Sequence, residues 1–222
     1  MKNGRTPLLT LVVVALTVWS VIVVTSCSSP SSGDEGGWTA LYNGVDLTGW
    51  QTTGNWIPQA DGVLLIQPRP GEEGWRRFDA YLWSEKKYKD FILDVEYSYP
   101  PEGNSGVFFR VGDVTNPVVT GIEAQILDSS DHSGAMTHHD HGGIISTIGA
   151  SRNMSKAPGE WNRMIVTCKG HHLQVVLNGE KIIDIQLDEF AVKDRPLEGH
   201  VGLQDHGEPN NIKFRNVRIK EL

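Results

Sequence analysis

Short stretches of alternating hydrophobic and polar residues recur along most of this chain, and they restrict its fold more than any other feature. Turn-forming residues separate the stretches, and the sequence holds 24 glycines and 11 prolines. Strands are predicted over residues 63–66, 81–83, 91–99, 107–111, 122–127, 163–169, 173–177, 181–185, 200–204 and 212–219. Because successive side chains of a strand point to opposite faces, regular short strands with turns between them favour an all-β sandwich of two antiparallel sheets.

Helical periodicity is weak throughout the chain. A short helix is expected only around residues 188–192, and the strongest hairpin signal is Asn178-Gly179, which tolerates the positive φ angles of a type I′ turn. The sequence contains no glycine-rich phosphate loop and no GxSxG motif. These observations exclude a doubly wound nucleotide-binding fold and give no support to a serine-triad hydrolase.

The beginning of the chain has the organisation of an exported lipoprotein. Lys2 and Arg5 precede an uncharged, mostly aliphatic run, which is typical of a secretory signal. The run ends in Val-Thr-Ser-Cys, which is similar to a bacterial lipobox with Cys27 as the acylated residue. We therefore expect a signal peptide over residues 1–26, a flexible tether over 27–37 and a folded domain over 38–222.

This organisation predicts a lipid-anchored protein of the bacterial cell envelope, in the outer membrane or the periplasm. Two acyl chains on one cysteine would hold the domain stably at a membrane. The alternative is an uncleaved membrane anchor, but the aliphatic run is slightly short for a comfortable span and a cysteine at its end favours the lipoprotein.

The charge of the chain limits its possible binding partners, and its cysteine content limits its possible covalent cross-links. The chain has 27 acidic and 20 basic residues and a net charge of −7, so it lacks the basic surface that nucleic-acid binding needs. Nucleic acid is therefore not an expected partner. Two cysteines cannot form a disulfide framework. Cys168 lies in an apolar alternation, and we expect it to be buried and structural.

Several predicted strands carry one apolar face and one polar face. The polar positions are Arg110, Glu123, Gln125, Gln204 and His206. If these faces coincide, they form a charged, hydrogen-bonding surface suited to a carbohydrate, with aromatic side chains nearby for stacking on sugar rings. The alternative is a sheet face that is simply solvated, as is common in antiparallel sheets.

Motifs in a fixed order run along the predicted domain. They read ALYNGVDLTGW from residue 40, KDF from 89, NSGVFFR from 104, GIEAQILD from 121, GEWN from 159, LNG from 177, GHVGLQDHG from 199 and FRN from 214. Together they resemble the 3-keto-disaccharide hydrolase family over essentially the whole domain. The segment GAMTHHDH from residue 134 departs from this family, whose members often carry a small residue and a tyrosine after the Gly-Ala step.

The resemblance implies a concanavalin A-like jelly roll. It also implies a carbohydrate substrate, a 3-keto-glycoside, cleaved by elimination across carbons 1 and 2, with hydration of the resulting glucal. Such chemistry needs a base for the proton on carbon 2, a group that stabilises the enolate, and an acid for the departing oxygen.

Candidate residues for these roles follow from their chemistry. Glu123 is the first candidate for the base and His206 the second, and an imidazole could also protonate the departing oxygen. Arg110, Gln125 or a bound divalent cation could stabilise the enolate, and Glu123 with His206 could hold such a cation. Further candidates for substrate contact are Asn104, Asp128, Gln204 and Asp205, although Asn104 and Asp128 are also ordinary turn residues and Asp205 could instead orient His206.

Metal binding has a second candidate in the segment His138-His139-Asp140-His141. All four residues are metal-ligand types, but adjacent residues in a loop have no fixed facial geometry, and a histidine-rich loop is often simply solvated. The sequence thus offers two candidate sites for a divalent cation, Glu123 with His206 and this segment.

Two other functions remain as alternatives. One is an ordinary glycoside hydrolase with Glu123 and Asp128 as its carboxyl pair. The alternation of the strand disfavours this pair, because it places Asp128 on the core-facing side and Glu123 on the opposite side. The other is a carbohydrate-binding module without catalysis, because jelly rolls carry binding proteins as readily as enzymes.

Overall fold

The computed structural model describes Met1 and residues 36–222. The predicted signal peptide, Cys27 and nearly all of the predicted tether lie outside these residues. The described strands are β1 (Thr39–Ala40), β2 (Trp50–Gln51), β3 (Trp56–Pro58), β4 (Leu64–Ile66), β5 (Leu82–Tyr88), β6 (Phe91–Ser98), β7 (Asn104–Val111), β8 (Ile122–Leu127), β9 (Asn162–Lys169), β10 (His172–Leu177), β11 (Glu180–Gln186), β12 (Gly199–Leu203) and β13 (Ile212–Glu221).

These strands form two antiparallel sheets. The larger sheet has the order β11-β10-β9-β6-β13-β4-β3, with β1 paired to β13, and the smaller sheet has the order β2-β5-β12-β7-β8. Strands that are neighbours in a sheet are often distant in sequence, as in the pairing of β12 with both β5 and β7. The expected jelly-roll sandwich of two antiparallel sheets is confirmed.

The core lies between the two sheets, where alternate residues of each strand meet. In β6 the buried apolar side chains are Phe91, Leu93, Val95 and Tyr97, as their spacing predicts. All ten predicted strands are present, most of them longer than the alternation indicated. The short strands β1, β2 and β3 were not predicted, since two or three residues are too few to show alternation.

Helices contribute little to the described structure. The helix α1 (Pro117–Thr120) was not predicted, and Leu187–Glu189 forms a 3₁₀ turn where a short helix was expected. A second 3₁₀ turn covers Phe78–Ala80. No helix in the described part of the chain is long and apolar enough to cross a membrane.

Two local expectations are confirmed. Asn178 and Gly179 have φ angles of 51° and 91°, as the type I′ turn between β10 and β11 requires. Cys168 is buried in the core, where burial raises the pKa of its thiol to about 12 and keeps it protonated. It therefore packs as a small apolar side chain.

A bulge in β7 reverses the expected orientation of Arg110. His200 and Gly202 of β12 pair with Val111 and Phe108, so three steps along β7 match two along β12. Arg110 is at the bulge and has a φ of 53°. Its side chain is fully buried at one end of the sandwich. The expectation that Arg110 lies on the polar face is therefore wrong.

The outer face of the smaller sheet carries a second aromatic cluster. Tyr81, Trp83 and Phe108 pack together there with ring centroids 5.5–5.7 Å apart. Phe108 faces away from the main core, as its position in the alternation predicts. This outer face holds the candidate site.

Candidate active site

The outer face of the smaller sheet is arranged in rows that run across its strands. Gly202 is paired with both Trp83 and Phe108, and Phe108 is paired with Glu123. In the next row Gly106 is paired with Gln125, and its carbonyl oxygen accepts the backbone N–H of Gln204 at 3.0 Å. The rows thus change from aromatic on β5 to ionisable and amide-bearing on β8.

A cavity of about 310 Å³ lies on this face, over the β12, β7 and β8 end of the rows. It combines apolar, amide and ionisable groups, a composition suited to a small polar ligand with apolar faces. Its lining residues are Trp75, Asn104, Val118, Glu123, Gln125, His139, Ile145, Ser146, Gln204 and His206. Five of these were predicted as site residues: Asn104, Glu123, Gln125, Gln204 and His206.

Glu123 is the carboxyl group of the cavity. Its side chain is 8% exposed and extends from β8 across Gly106 of β7, where a Cβ atom would stand only 2.2 Å from Glu123 Oε1. Burial raises the pKa of Glu123 to about 8, and the positive charge of Arg195 partly opposes this shift. Much of the Glu123 population is therefore protonated at neutral pH.

Gln204 contacts Glu123 directly. Its side-chain Nε2 donates to Glu123 Oε1 at 3.2 Å and to the Tyr81 hydroxyl at 2.9 Å. Tyr81 in turn donates its own proton to the carbonyl oxygen of Trp75 at 2.6 Å. A chain of hydrogen bonds therefore connects the Glu123 carboxyl group to a wall of the cavity.

His206 follows β12 and is half-buried. Burial lowers the pKa of its imidazole, so the ring is neutral near pH 7. Glu123 and His206 thus have pKa values shifted in opposite directions within one cavity, an arrangement typical of an acid and base pair.

Three cavity residues have buried amide oxygens without a hydrogen-bond partner in the described structure. These oxygens are Asn104 Oδ1, Gln125 Oε1 and Gln204 Oε1. Buried polar atoms are rarely left unpaired, and unpaired ones often mark a place where a ligand or water completes the bonding. Donors such as sugar hydroxyl groups would suit three acceptors in one place.

Asp205 and Asp128 do not line the cavity, contrary to expectation. Asp205 is fully buried, accepts the backbone N–H of Gly207 at 2.9 Å, and lies 2.9 Å from Arg77 Nη2. This ion pair holds the segment that carries Trp75 over the end of β12. Asp128 instead accepts hydrogen bonds from the backbone N–H of Glu102 at 3.0 Å and from the hydroxyl of Ser130 at 2.8 Å. These bonds stabilise a turn.

Arg110 is the third candidate that the structure places elsewhere. Its guanidinium donates to the carbonyl oxygens of Lys89 (2.7 and 2.9 Å) and Gly170 (2.6 Å), and it pairs with Asp90 at 3.1 Å. Lys89 and Asp90 form the turn that leads from β5 of the smaller sheet to β6 of the larger sheet, and Gly170 lies in the turn between β9 and β10 of the larger sheet. Arg110 therefore ties the two sheets together at one end, and its interactions are structural.

The four residues of the histidine-rich segment 138–141 have separate interactions. His138 accepts the backbone N–H of Ser146 at 3.1 Å, His139 lines the cavity, and Asp140 accepts from Thr137. His141 is fully buried, 2.6 Å from the Tyr97 hydroxyl, and burial lowers the pKa of its imidazole to about 4. Within residues 36–222 no group of three or more His, Cys, Asp or Glu side chains is arranged to hold a metal ion.

Sequence reasoning missed the cavity residues that come from loops. Trp75, His139, Ile145 and Ser146 lie outside the strands of the smaller sheet, so strand parity says nothing about them. The one available signal was chemical, because His139 belongs to a segment already considered for metal binding. Trp75 could be placed only once the contacts of its segment with Asp205 and Tyr81 were known.

A larger hollow of about 520 Å³ lies on the outer face of the other sheet. Its buried carboxylate, Asp94, pairs with Arg163 at 2.7 Å and with Arg218 at 2.9 Å. Glu96 is likewise paired with Arg215 at 2.7 Å. Because these charges already satisfy one another, the smaller cavity with its unpaired amides is the better candidate for chemistry.

Comparison with known proteins identifies a family over most of the chain. Residues 37–220 match the family model described as a 3-keto-alpha-glucoside-1,2-lyase-like domain. The chain is 27% identical to a 3-keto-disaccharide hydrolase from Bacteroides thetaiotaomicron, over 85% of this chain and 80% of the relative.

Solved structures show the same fold. A Parabacteroides distasonis protein, provisionally described as a glycosyl hydrolase, is 26% identical with a TM-score of 0.71, over 83% of this chain and 99% of that one. The carbohydrate-binding module CBM66 from Bacillus subtilis is 16% identical with a TM-score of 0.55, over 78% and 96% of the two chains, and this likeness concerns the fold alone. Since the family model spans most of its length, the chain belongs to the 3-keto-alpha-glucoside-1,2-lyase-like domain family, a family of carbohydrate-active proteins.

Proposed function

We propose that this protein cleaves 3-keto-glycosides by elimination across carbons 1 and 2 and then hydrates the glucal, so that the net reaction is hydrolysis. The observation that carries the proposal is that Glu123 and His206 line the same cavity, with pKa values shifted in opposite directions. The names of the family and of the Bacteroides relative support this substrate class.

The protonation states favour a particular division of roles. Near pH 7 the predominant forms are a neutral His206, which can accept a proton, and a protonated Glu123, which can donate one. His206 therefore removes the proton from carbon 2, and Glu123 protonates the oxygen that leaves carbon 1. This assignment reverses the order of preference that the sequence suggested, because burial makes the Glu123 carboxyl group an acid at neutral pH.

The elimination balances with these two groups. The ketone at carbon 3 takes up the electron pair of the C2–H bond as an enolate, and its collapse forms the C1–C2 double bond and breaks the C1–O bond. Hydration runs the proton transfers in reverse: Glu123 accepts a proton from water, the hydroxide adds to carbon 1, and protonated His206 returns a proton to carbon 2.

Gln125 is our candidate for stabilising the enolate. Arg110, the cationic alternative, is engaged at the end of the sandwich, whereas Gln125 lines the cavity. Amide N–H groups aimed at a developing oxyanion are an established means of lowering such a barrier in a site that excludes water.

Sugar recognition would use the remaining lining groups. The unpaired oxygens of Asn104 and Gln204 can accept sugar hydroxyl groups. The half-buried indole of Trp75 supplies an apolar wall for a ring face. A polyhydroxylated ligand satisfies both requirements.

An ordinary glycoside hydrolase fits the cavity less well. Direct hydrolysis uses two carboxyl groups, about 5 Å apart in retaining enzymes and farther apart in inverting ones. Among residues 36–222, Glu123 is the only carboxyl side chain that lines this cavity. Asp128, the expected partner, is occupied in a turn.

The test compares the purified domain on an aryl 3-keto-glucoside, in both anomers, and on the unoxidised parent glucosides. Release of the aryl group from the keto sugar alone is expected, and it should survive chelation if protein groups carry the steps. Glu123→Gln should lose activity by about 100-fold or more, since general acid catalysis contributes on that scale. Release from the parent would support an ordinary glycosidase, and binding without release would support a carbohydrate-binding module.

We further propose that Cys27 is acylated and holds the domain at the cell envelope through the segment before residue 38. The support is the order of the basic residues, the aliphatic run and the cysteine in the sequence. In a bacterial host, the full chain should partition with detergent and incorporate a labelled fatty acid, and Cys27→Ala should do neither. Labelling of the Cys27→Ala chain would contradict acylation at this site.

A further inference from the structure

The Tyr81 hydroxyl stands behind the cavity, between two parts of its wall. Tyr81 is fully buried and does not line the cavity itself. Its oxygen is hydrogen-bonded on one side to the carbonyl oxygen of Trp75 and on the other to the side-chain amide of Gln204. It therefore contacts two cavity residues from behind the cavity wall.

The hydrogen-bonding capacity of these groups permits only one arrangement. A phenol has one proton to donate, and a backbone carbonyl can only accept. Because the Tyr81 proton is given to Trp75 at 2.6 Å, the Tyr81 oxygen must accept from Gln204. Gln204 consequently presents its Nε2 group, and not its Oε1 atom, to Tyr81 at 2.9 Å.

The same Nε2 group also faces Glu123, at 3.2 Å from Oε1. If the amide were turned over, its carbonyl oxygen would face the Tyr81 oxygen, whose only proton is already given to Trp75, so two acceptors would meet there. We propose that Tyr81 is a positioning residue that fixes the orientation of the Gln204 amide, so that an N–H group is always directed at the Glu123 carboxyl group.

This proposal rests on the proposed function in giving Glu123 a role in proton transfer, but the orientation of the amide is a property of the protein alone. With the N–H group fixed, Glu123 keeps one oxygen hydrogen-bonded and holds its direction in the cavity. Gln204 Oε1, left without a partner among the described residues, remains available as an acceptor for substrate.

The alternative is that Tyr81 serves only to pack the aromatic cluster. Its ring packs against Trp83 and Phe108 with centroids 5.5 and 5.6 Å away. Tyr81→Phe keeps this packing and removes only the hydroxyl group. Tyr99→Phe is a matched control, because Tyr99 also donates to a backbone carbonyl at 2.6 Å, that of Lys156, outside the cavity.

Kinetics on an aryl 3-keto-glucoside provide the first readout. We expect Tyr81→Phe to lower kcat by about tenfold with little change in KM, and Tyr99→Phe to change neither. In a double-mutant cycle, Tyr81→Phe should have no further effect once Gln204→Leu has removed the amide. Equal losses from Tyr81→Phe in both backgrounds would overturn the proposal.

Nuclear magnetic resonance gives a second readout that does not depend on turnover. The side-chain amide signal of Gln204, identified by its absence in Gln204→Leu, should shift in Tyr81→Phe and stay unchanged in Tyr99→Phe. An unchanged Gln204 signal in Tyr81→Phe would refute the positioning role. If the protein were inactive on every 3-keto-glucoside, the proposed function would fail, while this comparison would still decide whether Tyr81 orients Gln204.

Discussion

Gln204 and Glu123 are joined by a hydrogen bond of 3.2 Å, although β12 and β8 are not neighbours in the sheet. The strand between them, β7, carries Gly106 at the crossing point. A side chain there would collide with Glu123, so the missing side chain creates the space in which the two groups meet.

Gly106→Ala should therefore disable the site while leaving the fold intact. The three atoms nearest to the new Cβ atom would all belong to the side chain of Glu123, which can move aside. We expect kcat/KM to fall by about tenfold or more, as a displaced catalytic group typically causes, with a change in Tm of only a few degrees. Unchanged kinetics in a folded Gly106→Ala protein would show that the position of Glu123 does not matter.

The stability of the domain should depend on pH through Glu123. Its pKa is raised from 4.5 to about 8, so the unfolded chain loses this proton at lower pH than the folded one. The stabilisation is complete below about pH 4.5 and is lost as the pH rises through about 8, at up to roughly 1.4 kcal/mol per pH unit.

Urea unfolding of the wild type and of Glu123→Gln at several pH values measures this contribution. The wild type should lose stability relative to Glu123→Gln as the pH rises from 5 to 8, because only the wild type must keep a buried carboxyl group protonated. A difference that does not vary with pH would mean that Glu123 titrates normally in the folded protein.

The pH dependence of turnover should report the same pair of groups. Activity requires His206 to be neutral, and its pKa lies below the ordinary 6.5, so kcat/KM should rise with pH through a value below 6.5. Activity also requires Glu123 to be protonated, so kcat/KM should fall as the pH passes about 8. A profile that instead rises through pH 8 would assign the role of base to Glu123.

Arg110 should prove structural. Arg110→Met removes the hydrogen bonds to Lys89 and Gly170 and leaves Asp90 without its ion-pair partner, so we expect a loss of about 3 kcal/mol or more in the free energy of unfolding. The fraction that remains folded should keep its kcat. Arg152→Met, at an exposed position, is the control and should alter neither quantity. Loss of kcat without loss of stability would restore a catalytic role to Arg110.

Alternation of residue types was enough to predict the two sheets and part of the site. Glu123, Gln125 and Gln204 were correctly placed on one face, because β8 and β12 keep a regular period of two over these positions. The alternation of side chains along the strands therefore predicted that Glu123 and Gln204, 81 positions apart in the chain, lie on the same face.

The same reasoning failed where the backbone departs from a regular strand. One additional residue in β7 turns Arg110 inward, and the pattern of residue types does not predict this bulge. Parity also says nothing about loops, so Trp75 and His139 could not be assigned to the cavity. Asp205 was correctly separated from His206 by parity, but its partner Arg77 lies far away in sequence and could not be foreseen.

The most direct measurement of the proposed chemistry is the fate of the hydrogen on carbon 2. An aryl 3-keto-glucoside is turned over in deuterated water, stopped early, and compared with enzyme-free and Glu123→Gln reactions to subtract spontaneous exchange. The proton that His206 takes from carbon 2 sits on a ring nitrogen and exchanges with the solvent before hydration, so elimination followed by hydration predicts solvent deuterium at carbon 2 of the released sugar. Sugar released with its original hydrogen at carbon 2 would mean direct displacement and would contradict this account of the cavity.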